Sequence, residues 1–196
     1  MYLCRRKQKS GKPTNLRRNI QREPAMTKEE IDREHPIDLS TEVLVRHTNG
    51  GSLTVYNSID RTTGDFHRIL SCAEYFARQG RTVVMTPKLD VPYKNPAYDL
   101  IYGTLRGTPY YGKCPDLLVD GVWYEHEGFC GSNPKRSFRN MCNHGFKQSE
   151  RVIIEDCGLT ERQMRKSLAE RLKNGIAVDE LWIHDDEGLR LFFKNT

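Results

Sequence analysis

Asp116, Glu125, His126 and Glu127 stand within one stretch, Cys114-Pro-Asp-Leu-Leu-Val-Asp-Gly-Val-Trp-Tyr-Glu-His-Glu127. Three carboxyls and an imidazole held together can act as general acid and base, or hold a divalent cation through carboxylate oxygens. Two short apolar runs flank Asp120-Gly121, a strong hairpin signal because both turn residues tolerate the positive φ of a type I′ turn. Strand alternation then sorts the side chains: Glu125 and Glu127 share a face with Trp123, while Tyr124 and His126 point the other way. All four groups converge only if the strand bulges or ends there. A solvated hairpin can also carry such charges outward with no site at all.

The next segment is one-signed. Lys135, Arg136, Arg139, His144 and Lys147 follow Pro134 with no acid before Glu150, and Gln148-Ser149 closes the run. Pro134 suits a first helical position. On a helix, Arg136, Asn140, Asn143 and Lys147 share a face, with Gly145 expected to interrupt it. Ordinary solvated helix surfaces mix charge signs, so this face reads as a phosphate cradle.

The elements that must position these residues form an α+β chain with a central, mainly antiparallel sheet and two to three packed helices. Strand-like runs at 41–47 and 52–57 flank Asn49-Gly50-Gly51, a first hairpin. The period then changes: Phe66, Ile69, Leu70, Ala73, Phe76 and Ala77 recur at helical spacing, with Asp65 as candidate N-cap and Gly80 as C-terminal glycine. A strand at 81–86 leads into a long connection with Pro87, Pro92, Pro96 and Pro109 and five tyrosines, which fit core packing better than base stacking. Residues 151–156 read as a strand. Thr160 and Gln163 form a capping box for a helix to Asn174, with Met164, Leu168 and Leu172 as its buried stripe. A last hairpin pairs 181–184 with 189–193.

At 196 residues and 37% hydrophobic, the chain can bury one core, here a single α+β domain over 40–196. Residues 1–39 form a lead-in that opens with a basic arm, expected to be disordered or partly helical: residues 1–22 hold eight Lys and Arg and no acid, leaving 23 basic against 26 acidic residues beyond it. Met26, just past the arm, is an alternative initiator. The basic balance therefore belongs to a tail. No signal peptide or membrane span is expected, and the chain reads as cytoplasmic. Six cysteines without a C-x-x-C pair suit reduced thiols, and the spacing of Cys114, His126, Cys130, Cys142 and His144 matches no zinc template.

The order of these motifs, from the Gly50-Gly51 strand pair and the helix ending at Gly80 through Pro115-Asp116, Glu125, the basic helix, Lys147-Gln148-Ser149 and Val152-Ile153-Ile154, resembles a known family. It is similar to the C-terminal tRNase domain of contact-dependent inhibition toxins, within the barnase, EndoU, colicin and RelE-like ribonuclease superfamily. The form Tyr-Glu-x-Glu-Gly-Phe at 124–129 resembles stand-alone relatives from mobile elements. The resemblance covers about residues 41–194. It implies metal-independent RNA cleavage, with tRNA as substrate, no cofactor, and a cognate immunity or antitoxin protein as partner. Carried over by position, Asp116 and Glu125 match the family's acids, and Lys147, Gln148 and Ser149 its Lys/Gln region. Glu127 departs from it, standing where the family has a lysine.

Three readings follow. The first is a ribonuclease with Glu125 or His126 as acid or base and Lys135, Arg136, Arg139 and Lys147 binding RNA phosphates. The second is a metal-dependent nuclease of the Pro-Asp…Glu-x-Lys type, with Asp116, Glu125 and Glu127 holding Mg²⁺ or Mn²⁺ and Lys147 as a displaced lysine. The third is a non-catalytic nucleic-acid- or partner-binding protein on the same fold.

Overall fold

A computed structural model describes residues 37–90, 95–129 and 132–195. The basic arm and almost all of the lead-in lie outside the described residues.

Among the described residues, eight strands form one continuous sheet in sequence order: β1 (Thr41–Arg46), β2 (Ser52–Tyr56), β3 (Thr82–Met85), β4 (Leu117–Val119), β5 (Val122–Glu127), β6 (Arg151–Glu155), β7 (Glu180–Asp185) and β8 (Gly188–Lys194). Four pairings are antiparallel: β1/β2, β3/β4, β4/β5 and β7/β8. The other three, β2/β3, β5/β6 and β6/β7, are parallel. Each parallel step is bridged by a segment long enough to return the chain, as parallel pairing requires. Helix α1 (Gly64–Arg78) bridges β2 and β3, α3 (Pro134–Gly145) bridges β5 and β6, and α4 (Glu161–Lys173) bridges β6 and β7. A short α2 (Tyr98–Tyr102) lies in the connection to β4.

The sheet is covered on both faces. Phe66, Cys72, Ala73 and Phe76 of α1 pack on Leu53, Val55, Val83, Tyr124 and Ile153. Phe138 and Met141 of α3 and Met164 and Leu168 of α4 pack on Val152, Ile154, Leu181 and Ile183. Alternation along β6 thus sends Ile153 toward α1 and its two neighbours toward α3 and α4. Such two-sided burial explains why β6 reads as a continuous apolar run. The long connection adds a third cluster, in which Tyr98, Tyr102 and Leu105 cover Trp123.

Local signals account for most element ends. Asp120 takes φ 49° and Gly121 φ 80°, the pair a type I′ turn needs. Asn133 caps α3 by accepting from the Arg136 N–H at 3.1 Å, and Pro134 occupies the first turn. Both halves of the Thr160/Gln163 capping box are formed. Two expectations shift. Thr63 caps α1 in place of Asp65, accepting from the Phe66 N–H at 3.2 Å. In α4, Leu172 is 37% exposed, and Arg171 is buried in its place. Arg171 reaches across to α3, donating to the Arg139 carbonyl at 3.3 Å, a partner no helical period reveals.

Candidate active site

The Asp-Gly hairpin brings Asp116 at the foot of β4 beside Glu125 on β5. The His126 N–H donates to Asp116 Oδ2 at 3.0 Å, so backbone geometry fixes this carboxyl. No bulge interrupts β5, and its register with β6 is regular, pairing Glu125, His126 and Glu127 with Val152, Ile153 and Ile154. Glu125 and Glu127 therefore share the Trp123 face, as alternation predicts. On that face α3 comes close: a Cβ at Gly145 would stand 2.5 Å from Val152 Cγ1 and 3.1 Å from Glu127 Cγ. Only glycine lets the end of α3 approach the acid so closely.

Asp116 and Glu125 are almost fully buried, at 5% and 3% exposure. Burial pushes all three carboxyls up. For Glu125 the shift is large, reinforced by the charges of Asp116 and Glu127. Glu127, half-buried and facing Asp116, is pushed up to about 7. Asp116 is raised by burial against the opposing pull of Lys88 and the His126 N–H. Glu125 Oε2 is buried without a hydrogen-bond partner. An enclosed carboxylate oxygen with no donor costs free energy unless a proton or a cation meets it.

The cation whose field reaches the acids is Lys88, a residue the sequence reading passed over. Attraction to Asp116, with smaller contributions from Glu125, Asp65 and Glu127, outweighs burial and holds its ammonium above the usual range. Its backbone is clamped on both sides. Tyr102 donates its hydroxyl to the Pro87 carbonyl at 2.6 Å, and the Leu89 N–H points at Cys114 Sγ at 3.4 Å. The tyrosine-rich connection therefore holds a lysine loop. A cleft of about 350 Å³ runs between Thr63, Asp65, Phe66 and Ile69 of the α1 end and Thr86, Pro87, Lys88 and Asp116. Asp65 also lies by the end of β5, where its Oδ1 would stand 3.6 Å from a Cβ at Gly128.

The other expected residues take different places. His126 does not join the acids; it turns to the α1 face, where its Nε2 donates to Glu155 Oε1 at 2.7 Å. Alternation accounts for this, since no bulge rotates it back. Lys147 is exposed. Ser149 is buried in a structural role, donating to the Trp123 carbonyl at 2.8 Å and accepting from the Arg151 N–H at 3.1 Å. Gln148 lies beside it with Oε1 buried and unpartnered. Lys135, Arg136 and Arg139 line a groove of about 460 Å³ between α3 and α4, joined by Lys166 and one acid, Glu170. A lysine three residues past the end of β3, followed by a tyrosine-anchored connection, is the signal that points to Lys88.

The acids, Lys88 and an adjoining cleft make a site suited to phosphoryl chemistry. Among solved structures, a chain of the CdiA-CT/CdiI toxin and immunity complex from Burkholderia pseudomallei aligns with a TM-score of 0.40 and 11% identity, over 70% of this chain and 93% of that one. No family model matches the sequence, and no curated protein does. Among the described residues, no helix is long and apolar enough to cross a membrane.

Proposed function

We propose that this chain is a divalent-cation-dependent nuclease of the Pro-Asp…Glu-x-Lys type, with its lysine moved to position 88. The carrying observation is Glu125 Oε2, buried and unpartnered between two further carboxyls. Hard oxygen donors of this kind suit Mg²⁺ or Mn²⁺. Asp116, Glu125 and Glu127 would hold the ion. One oxygen from each does not lie within 4.8 Å of the other two, so holding one ion would require a carboxylate to turn, and Glu127 is the half-buried one of the three. When bound, such an ion supplies Lewis acidity at a phosphoryl oxygen.

The chain's own groups do the rest. Asp116 is oriented by the His126 N–H. Lys88, exposed at the cleft, offers an ammonium to the charge that builds on the phosphate as the scissile bond breaks. Burial and the Asp116 charge push Glu127 up to about 7 in the metal-free protein, so binding the ion would displace a proton from it near neutrality. The basic groove sits back along α3. At 1.5 Å per residue, Arg139 and Arg136 lie about 9 and 14 Å from Gly145, the glycine beside Glu127. That spacing lets a polynucleotide backbone reach from acids to arginines. Substrate strands of either RNA, tRNA included, or DNA meet these requirements. A cognate immunity protein belongs to the same proposal, since a toxin-like nuclease needs an inhibitor in the cell that makes it.

The metal-free ribonuclease is the weaker reading, because its histidine faces away from the acids and Glu127 replaces its lysine. The test is incubation of the purified protein with total tRNA and with plasmid DNA, in Mg²⁺, in Mn²⁺ and in EDTA. Cleavage only with metal, absent in Asp116→Asn, supports the proposal. Undiminished cleavage in EDTA restores the ribonuclease reading, and salt-sensitive binding without turnover leaves the non-catalytic one.

A further inference from the structure

On the opposite face of β5, under α1, lies a second cluster. Cys72 on α1, His126 on β5 and His184 on β7 each bring one ligand atom within 4.8 Å of the other two. Strand register assembles it: Glu155 of β6 pairs with His184 of β7, and His126 pairs with Ile153, two residues before Glu155 on the same face. Glu155 Oε1 accepts from both rings, from His126 Nε2 at 2.7 Å and from His184 Nδ1 at 2.8 Å. An ionised carboxylate only accepts, so each ring gives one N–H to it, and an imidazole in its neutral form then has a lone pair on its other nitrogen. For His184 that is Nε2, which lies 3.2 Å from Ser71 Oγ.

We infer that Cys72, His126 and His184 form a Zn²⁺-class metal site, with Glu155 as the carboxylate that orients both imidazoles. One thiolate and two imidazole nitrogens are the donor set that selects a borderline transition cation over Mg²⁺. A carboxylate behind the histidines is the usual outer partner of such ligands, because it sets ring tautomer and direction. Three protein ligands leave one tetrahedral position for a water. Binding is balanced by release of the Cys72 thiol proton to solvent. Sequence spacing conceals this set, since its members come from three separate elements. The location also bears on the candidate active site. His126 lies between Glu125 and Glu127 and its N–H holds Asp116, so a metal here would pin the strand that carries the acids to α1.

The experiment uses the full chain, stripped of metal and kept reduced, with Co²⁺ as probe. One molar equivalent of Co²⁺ should raise a thiolate-to-cobalt charge-transfer absorption and tetrahedral d–d bands, and excess Zn²⁺ should erase them while a large excess of Mg²⁺ should not. Asp116→Asn, which removes a carboxylate from the acidic site but keeps a side-chain oxygen to accept the His126 N–H, should keep the bands. Cys72→Ala should lose the charge-transfer band and His184→Gln the tetrahedral d–d pattern. If either variant fails to fold by circular dichroism, the other decides. No charge-transfer band in the wild type, or a band unchanged in the folded variants, overturns the site. These readouts are independent of nuclease activity, so the two metal proposals fail separately.

Discussion

Replacing Glu125 by Gln should make the metal-free protein more stable and abolish its metal-dependent activity. The reasoning rests on proton linkage. Folding raises the Glu125 carboxyl well above its ordinary 4.5, so above that pH the unfolded chain gives up the proton first. The folded state then binds more protons than the unfolded one, and stability falls as pH rises until the folded pKa is passed. Each pH unit within that window costs up to about 1.4 kcal/mol. From about pH 5 to about pH 7 the cost grows by up to about 2.7 kcal/mol for this group. Gln has nearly the same shape and no proton to lose. Its amide carries no charge at the unpartnered Oε2 position, so the repulsion from Asp116 and Glu127 is removed. The variant's advantage over wild type should therefore grow from about pH 5 to about pH 7, by no more than about 2.7 kcal/mol. For a chain of this size each 1 kcal/mol raises Tm by roughly 2 to 4 °C. Thermal unfolding by circular dichroism in EDTA at the two pH values measures it, and nuclease assays in Mg²⁺ follow the loss of activity. A variant no more stable than wild type at about pH 7, or one stabilised equally at both values, refutes the account of a buried, repelled carboxyl.

Three further outcomes are expected. Lys88→Ala should cut turnover by about 10²-fold or more, whereas Lys147→Ala should stay near wild type in the same steady-state assay, and equal losses would return the phosphate-facing cation to α3. Gly145→Ala places a Cβ against Val152 Cγ1 and Glu127 Cγ; it should cost about 1 to 3 kcal/mol by urea denaturation and raise the Mg²⁺ concentration needed for half-maximal activity. Asp120 accepts from the Thr82 N–H at 2.8 Å and pairs with Arg81 at 2.7 Å, and these hydrogen bonds hold its carboxyl below the usual range. Its contribution is therefore present above 3.8 and lost as pH falls through the lowered folded value. Asp120→Asn, which still tolerates the positive φ, should flatten the acid limb of the stability profile in urea titrations, and an unchanged limb would show that the ion pair adds nothing.

The sequence by itself determined whatever a residue and its near neighbours decide. Asp120-Gly121 sets a turn because only certain residues accept its φ values, and that turn sets the register placing Asp116 beside Glu125. Alternation then separates His126 from Glu125 and Glu127, and the caps at Asn133 and Thr160 satisfy backbone donors within their own first turns. The acids of the candidate site were legible for these reasons. Tertiary structure alone decided what faces them. The field of Lys88 reaches the acids because Tyr102 fastens Pro87 and the connection folds back on Trp123. Arg171 is buried because α3 offers it a carbonyl. Cys72, His126, Glu155 and His184 meet only because β5, β6 and β7 lie side by side beneath α1. Contacts across a sheet depend on strand order and on crossovers of many residues, which no local periodicity encodes. The hairpin and its acids were therefore written in the residues, and the lysine, the cleft and the second cluster came from how the chain returns to them.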